Sequence, residues 1–231
     1  MNKYPLFLSL RATTVVVVGI GGVGRRKVLS LLKTGPQEIR IVDPALARDE
    51  VRAEIAALVP QGCETTLTLI AGSFTPEVLA RATLVFAATA SAQVNSEIAG
   101  HCQRLGTLCN RADSEDESDF TVPALVRSGP IGIAVSTGGS SPALARRLRE
   151  DIECWLTSGY GRLATLLGRL RPHILTLALP QENNAQIFRA LVYSSLKNHL
   201  ESGNLDEVAA ILRETLPASL HEKVNEVLHE L

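Results

Sequence analysis

The chain has 231 residues, enough for a substantial core and for more than one domain. Hydrophobic residues make up 45% and charged residues 20%, and 23 Lys plus Arg against 24 Asp plus Glu leave a formal charge of -1. The length excludes a disulfide-held miniprotein, and the near-neutral balance argues against a protein that coats nucleic acid. Four cysteines, Cys63, Cys102, Cys109 and Cys154, show no CxxC and no zinc-ribbon spacing, so they read as small hydrophobes in a reducing compartment. The opening apolar stretch is too short to span a bilayer and lacks a signal-peptide cleavage pattern, so a cytoplasmic location with no membrane partner is expected.

The first clear element is the β-branched run Thr13 to Val18, which suits a strand buried on both faces. It ends in Gly19-Ile20-Gly21-Gly22-Val23-Gly24, after which Arg25 to Lys33 carries Val28, Leu29, Leu31 and Leu32 at helical spacing. Gly35 and Pro36 stop that helix, and Glu38 to Val42 predicts a second strand ending at Asp43-Pro44. Leu46 to Leu58 reads as a helix, Thr65 to Ile70 as a strand and Pro76 to Ala80 as a short helix. Leu84 to Ala88 predicts another parallel strand with Thr89 at its carboxyl end, followed by a helix over Val94 to Arg104 and a short strand over Thr107 to Asn110.

The texture then changes. Asp113 to Asp119 is an acidic connector, Phe120 to Val126 and Ile131 to Ser136 predict two strands, and Gly138-Gly139 breaks the second. Ser141-Pro142 is a favourable helix opening, since serine caps the first turn and proline needs no amide hydrogen there. Ala143 to Leu156 follows as a helix, and amphipathic runs such as Leu205 to Leu212 and Leu220 to Leu231 make the tail helical.

Strand, glycine turn, helix, strand is the opening of a dinucleotide-binding fold. Gly19 allows the tight turn, Gly21 lets backbone approach a pyrophosphate, and Gly24 permits close helix-to-strand packing. The amides at Gly22 and Val23 then face the phosphates. Asp43, 19 residues after Gly24, can accept from a ribose diol and would repel a 2′-phosphate, so NAD is the expected cofactor, with Pro44 beside it. Thr89 lies at the strand edge where this fold places its ligands. No metal motif involves the five histidines, and the acids Asp116, Glu117 and Asp119 complete no calcium loop.

Several longer segments are more specific than the glycine loop. They are Tyr4-Pro5-Leu6-Phe7, Arg26-Lys27, Ala87-Ala88-Thr89 with Val94-Asn95, Asn110-Arg111-Ala112-Asp113, Asp119 to Ala124, and Ile133 to Arg146. Through them the chain resembles the siroheme-biosynthetic family of precorrin-2 dehydrogenases, some of which are also sirohydrochlorin ferrochelatases. The resemblance runs through about Glu153. It departs from the family at Gly24, where alanine is common, at Asp43, usually uncharged, and at Ala90 and Ser91, where acids often stand.

The resemblance implies an α/β fold in three parts: a Rossmann-like NAD-binding domain over 1–112, a small α+β dimerisation and substrate-binding region over 113–156, and a helical region over 157–231. It implies a homodimer that oxidises precorrin-2 to sirohydrochlorin, with Asp113 as the catalytic residue. The substrate carries eight carboxylates, so Arg111 and Arg146 are expected to face it. Ser136, Thr137, Gly138, Gly139 and Ser140 are expected to meet it at the start of a helix. Two alternatives stay open: an enzyme that also inserts Fe(II) into sirohydrochlorin, and a non-catalytic NAD-sensing dimeric regulator.

Overall fold

The computed structural model describes residues 3–229. By compactness it divides into two units, 1–122 and 123–231. The first holds a five-stranded sheet of β1 (Thr14–Val18), β2 (Glu38–Val42), β3 (Thr66–Ile70), β4 (Ala82–Ala87) and β5 (Leu108–Arg111). Its order is β3-β2-β1-β4-β5, with every pairing parallel.

The uninterrupted valines of β1 are explained by this placement, because a central parallel strand is covered on both faces. Val15 and Val17 pack with Ile39, Ile41 and Phe86 beneath α1 (Gly22–Leu32) and α2 (Asp49–Ala56). Val16 and Val18 point the other way, into the cluster formed with Val85, Ile98 and Cys102 of α3 (Ala92–Leu105). Each fully buried valine contributes about 1.5–3 kcal/mol of transfer free energy, so β1 anchors both cores. Leu46 to Leu58 is not one helix. Asp43 accepts from the Ala45 amide and caps a 3-10 turn over Pro44–Ala47, which breaks before α2 begins.

The acidic connector stays with the first unit. Asp119 exchanges bonds with Cys109, its carboxylate accepting from the Cys109 amide at 2.8 Å while its own amide donates to the Cys109 carbonyl. Ser118 Oγ accepts from the Arg111 amide, and Asn110 donates to the Phe120 carbonyl. Residues 113–120 therefore fold back along β5. Phe120 to Pro123 is not strand: the Phe120 carbonyl is taken by Asn110 in this return, and the strand starts at Ala124.

The second unit opens with the antiparallel hairpin β6 (Ala124–Ser128) and β7 (Ile131–Val135), turned at Gly129. Then follow α4 (Pro142–Trp155), α5 (Ser158–Leu175), α6 (Gln181–Tyr193), α7 (Leu196–Ser202), α8 (Leu205–Thr215) and α9 (Val224–Leu228). Helices α5 to α9 share one apolar core, including Leu166, Leu170, Leu191, Leu200 and Leu212. The helical run expected over Leu220 to Leu231 becomes a 3-10 stretch and α9, and residues 230 and 231 lie outside the described residues. No described helix is long and apolar enough to cross a membrane.

Candidate active site

A cleft of about 560 Å³ opens at the carboxyl ends of β1, β2 and β4, lined in part by Gly19, Gly21, Asp43, Pro44, Ser73 and Thr89. β1 pairs with β2 on one side and β4 on the other, so the connections run away from it in opposite directions. That reversal leaves the crevice in which open α/β sheets take their ligands.

The glycine loop shows a division of labour. Gly19 has φ +96°, and a Cβ there would lie 2.4 Å from the Ala88 carbonyl oxygen. A Cβ on Gly24 would lie 1.9 Å from the Gly19 oxygen. Both positions exclude a side chain because backbone occupies the space. At Gly21 and Gly22, by contrast, a Cβ would meet nothing within 4 Å. The space beside them is open to a ligand.

The first amide of α1 to close an intrahelical bond is that of Arg25, which donates to the Gly21 carbonyl. Those of Gly22, Val23 and Gly24 thus have no intrahelical acceptor, and the positive end of the helix dipole points into the open space. This geometry fits the pyrophosphate of a dinucleotide.

Asp43 does more than face the cleft. Its Oδ2 accepts from the Ile20 amide at 2.7 Å and its Oδ1 from the Ala45 amide at 2.7 Å. The carboxylate thus ties the glycine loop to the end of β2. Each oxygen retains a lone pair, which leaves room to accept from a ribose hydroxyl.

Asp113 follows β5, its side chain 27% exposed. Arg111 donates to its Oδ2 at 2.7 Å and to its Oδ1 at 3.4 Å, and Asn95 donates to Oδ1 at 2.8 Å. The Arg111 guanidinium, with Asn95 in support, holds the Asp113 carboxyl below the usual carboxylate range. Arg111 is itself buried and also pairs with Glu117. Its guanidinium is therefore committed to two carboxylates of its own chain instead of standing open to a ligand.

Asn95 is the residue that sequence reasoning left out of the site. It is fully buried on α3, where Oδ1 accepts from the Thr89 amide at 3.1 Å and from Thr89 Oγ1 at 2.7 Å. Its Nδ2 donates to the Thr89 carbonyl and to Asp113. The available signal was a polar residue on the apolar face of an amphipathic helix, with Val94 and Ile98 around it.

In the second unit Ser136 to Ser141 form a turn that largely satisfies itself. The Gly138 amide donates to Ser136 Oγ, the Ser140 amide to the Thr137 carbonyl, and the Ser141 amide to Thr137 Oγ1. Ser141 Oγ accepts from the Leu144 amide and caps α4. Gly138 and Gly139 supply the positive φ angles the turn needs, +62° and +85°. Arg146 is exposed and pairs with Glu150 one turn along α4. No group of three or more potential metal ligands gathers among the described residues.

A parallel sheet with an open glycine cradle at its switch point defines a dinucleotide-binding protein. Residues 6–124 match a family model described as NAD(P)-binding, and residues 128–153 match one described as sirohaem biosynthesis protein central. The chain belongs to the first of these families, the NAD(P)-binding one. Siroheme synthase 1 of Pectobacterium atrosepticum is 32% identical over 94% of the chain and 43% of that protein. The siroheme synthase of Gluconacetobacter diazotrophicus is 39% identical over 74% of the chain and 36% of that protein. The chain therefore spans less than half the length of the curated relatives it matches. A solved structure titled SirC, precorrin-2 dehydrogenase, shares the fold with a TM-score of 0.71 at 21% identity, covering 97% of this chain and 100% of that one.

Proposed function

We propose that the protein is an NAD-dependent precorrin-2 dehydrogenase that forms sirohydrochlorin in the cytoplasm as a homodimer. The observation that carries this reading is the open cradle at Gly21 and Gly22 on the same unit as an Asp113 held as a carboxylate. Titled relatives in siroheme synthesis and the SirC fold support the choice of substrate. Four free cysteines suit a reducing compartment, and the exposed Leu144, Leu148 and Trp155 of α4 offer apolar surface for a second copy.

Bound NAD supplies the hydride acceptor. The amides of Gly22, Val23 and Gly24 would hold its phosphates, while Asp43 would accept from the ribose and disfavour a 2′-phosphate. Oxidation of precorrin-2 releases one hydride and one proton. Asp113, held as a carboxylate, takes the proton and passes it to water. Arg111 serves this reading by keeping Asp113 charged. The substrate-facing role expected of Ser136, Thr137, Gly138, Gly139, Ser140 and Arg146 has less support, because the turn bonds to itself and Arg146 pairs with Glu150.

The test is an anaerobic assay with precorrin-2 and NAD, following NADH and sirohydrochlorin, first without and then with Fe(II). Asp113→Asn should lower kcat at least ~100-fold while NAD still binds. A folded, NAD-binding protein that leaves precorrin-2 unoxidised would instead be a sensor. Enzyme-dependent loss of sirohydrochlorin on adding Fe(II) would add chelation to the dehydrogenation.

A further inference from the structure

The Asn95 side chain has two acceptor lone pairs and two donor hydrogens, and the structure uses all four. Three go to one residue. Thr89 presents its amide, its carbonyl and its hydroxyl to the Asn95 amide, so both polar ends of its backbone are gripped. Thr89 lines the cleft at the end of β4. The fourth bond, at 2.8 Å, runs to Asp113 Oδ1 beyond β5. One buried amide thus joins the wall of the dinucleotide cleft to the carboxylate proposed to move the proton.

Packing leaves Asn95 no alternative arrangement. It is 0% exposed, with Ile98 one turn further along the same face of α3, and a buried amide that gave up any of these bonds would strand a polar group. Thr89 strengthens the point from its own side, since its hydroxyl also accepts from the Ser91 amide and so helps start α3. The loop after β4, the first turns of α3 and Asp113 therefore share one hydrogen-bonded junction.

We propose that Asn95 is a positioning residue that registers Asp113 against the cofactor cleft, fixing its carboxylate relative to the wall formed by Thr89. The inference rests on the dehydrogenase reading for its catalytic consequence, and on the geometry alone for the coupling. The charged groups acting on Asp113 are Arg111 from β5, directly, and Glu117 from the connector, through Arg111. Asn95 is the neutral member, from α3. Replacing it with another neutral residue therefore tests position with the local charge count unchanged.

Two variants separate this role from simple folding. Asn95→Ser removes the donor to Asp113 and leaves room for water. Asn95→Asp preserves the acceptor for the Thr89 amide but sets a second carboxyl against Asp113. The direct readout is the carboxyl carbon-13 resonance of Asp113, assigned by its disappearance in Asp113→Asn and titrated against pH in the folded proteins. The titration midpoint should rise by about half a unit in Asn95→Ser and by about one unit or more in Asn95→Asp, where like charges meet. In the precorrin-2 assay, kcat of Asn95→Ser should fall about tenfold with the acid limb displaced upward. Its KM for NAD should rise by less than kcat falls, since the Thr89 wall loosens while the glycine cradle is untouched.

An Asp113 midpoint unmoved in both variants overturns the proposal, as does a loss of kcat matched by an equal rise in the KM for NAD. If the wild type fails to oxidise precorrin-2, the dehydrogenase reading falls, whereas the carboxyl titration still decides whether Asn95 holds Asp113.

Discussion

Two glycine-bearing turns, Gly19 to Gly24 and Ser136 to Ser141, each open a helix, and they solve the same local problem in opposite ways. At Gly19 to Gly24 no side chain caps α1, and its first amides are left facing an open cleft. At Ser136 to Ser141 the hydroxyls of Thr137 and Ser141 take amides of the turn and of α4. Any helix start leaves donors to satisfy. The donors are available to a ligand only where the protein declines to cap them itself. By that criterion the first turn is a built anion site, and the second owes its shape chiefly to its own chain.

The sharpest way to break the comparison is to fill the two kinds of glycine in the first turn. Gly24→Val would drive a side chain into the Gly19 carbonyl, 1.9 Å from the new Cβ, so α1 must lift from β1. We expect a loss of about 3 kcal/mol in chemical denaturation and no measurable NAD binding by calorimetry. Gly22→Ala is the matched control. Its methyl meets no protein atom within 4 Å, so stability should hold while NAD affinity falls about tenfold as the methyl enters the phosphate space. Loss of stability in Gly22→Ala, or full NAD affinity with it, would show that the open space is not the cradle.

Much of this arrangement was legible beforehand, and the reasons are local. The valines of β1, the glycine spacing and Asp43 at the end of β2 are adjacent-residue signals, and the parallel sheet follows from them. What escaped depends on partners distant in sequence. Nothing in Asp113 to Asp119 shows that Ser118 and Asp119 return to β5, because that return has no periodicity. For the same reason Arg111 reads as a free cation from sequence, yet it is buried between Asp113 and Glu117. Asn95 was visible as part of the Val94-Asn95 pair and as a polar residue in an apolar stripe, but not as a member of the site. Its four partners emerge once the end of β4, α3 and the segment after β5 are brought together.

Arg111 gives the next-largest effect and tests the charge at the first site. Arg111→Met removes bonds to two carboxylates, and we expect a loss of about 2 kcal/mol at neutral pH. The pH dependence has a definite sign. Because the folded Asp113 titrates below its usual range, with Arg111 as the main cause, its stabilising contribution is fully present above that range. It is lost as pH falls through the folded value, below about 4. The wild-type melting temperature should therefore drop more steeply than that of Arg111→Met as acid is added, so the two curves converge. Parallel curves would mean that the ion pair does not govern Asp113.

The smallest change tests the second turn. Ser141→Ala removes the acceptor for the Leu144 amide at the start of α4, a cap worth about 1 kcal/mol. The cost should appear in thermal unfolding, while calorimetric NAD affinity stays at the wild-type value, because the uncapped amides of α1 belong to the other unit. Replacement by threonine, which retains a hydroxyl at the cap position, should recover most of the stability. If Ser141→Ala weakened NAD binding as strongly as Gly22→Ala, the two helix starts would be parts of one ligand site, and self-capping would not distinguish them.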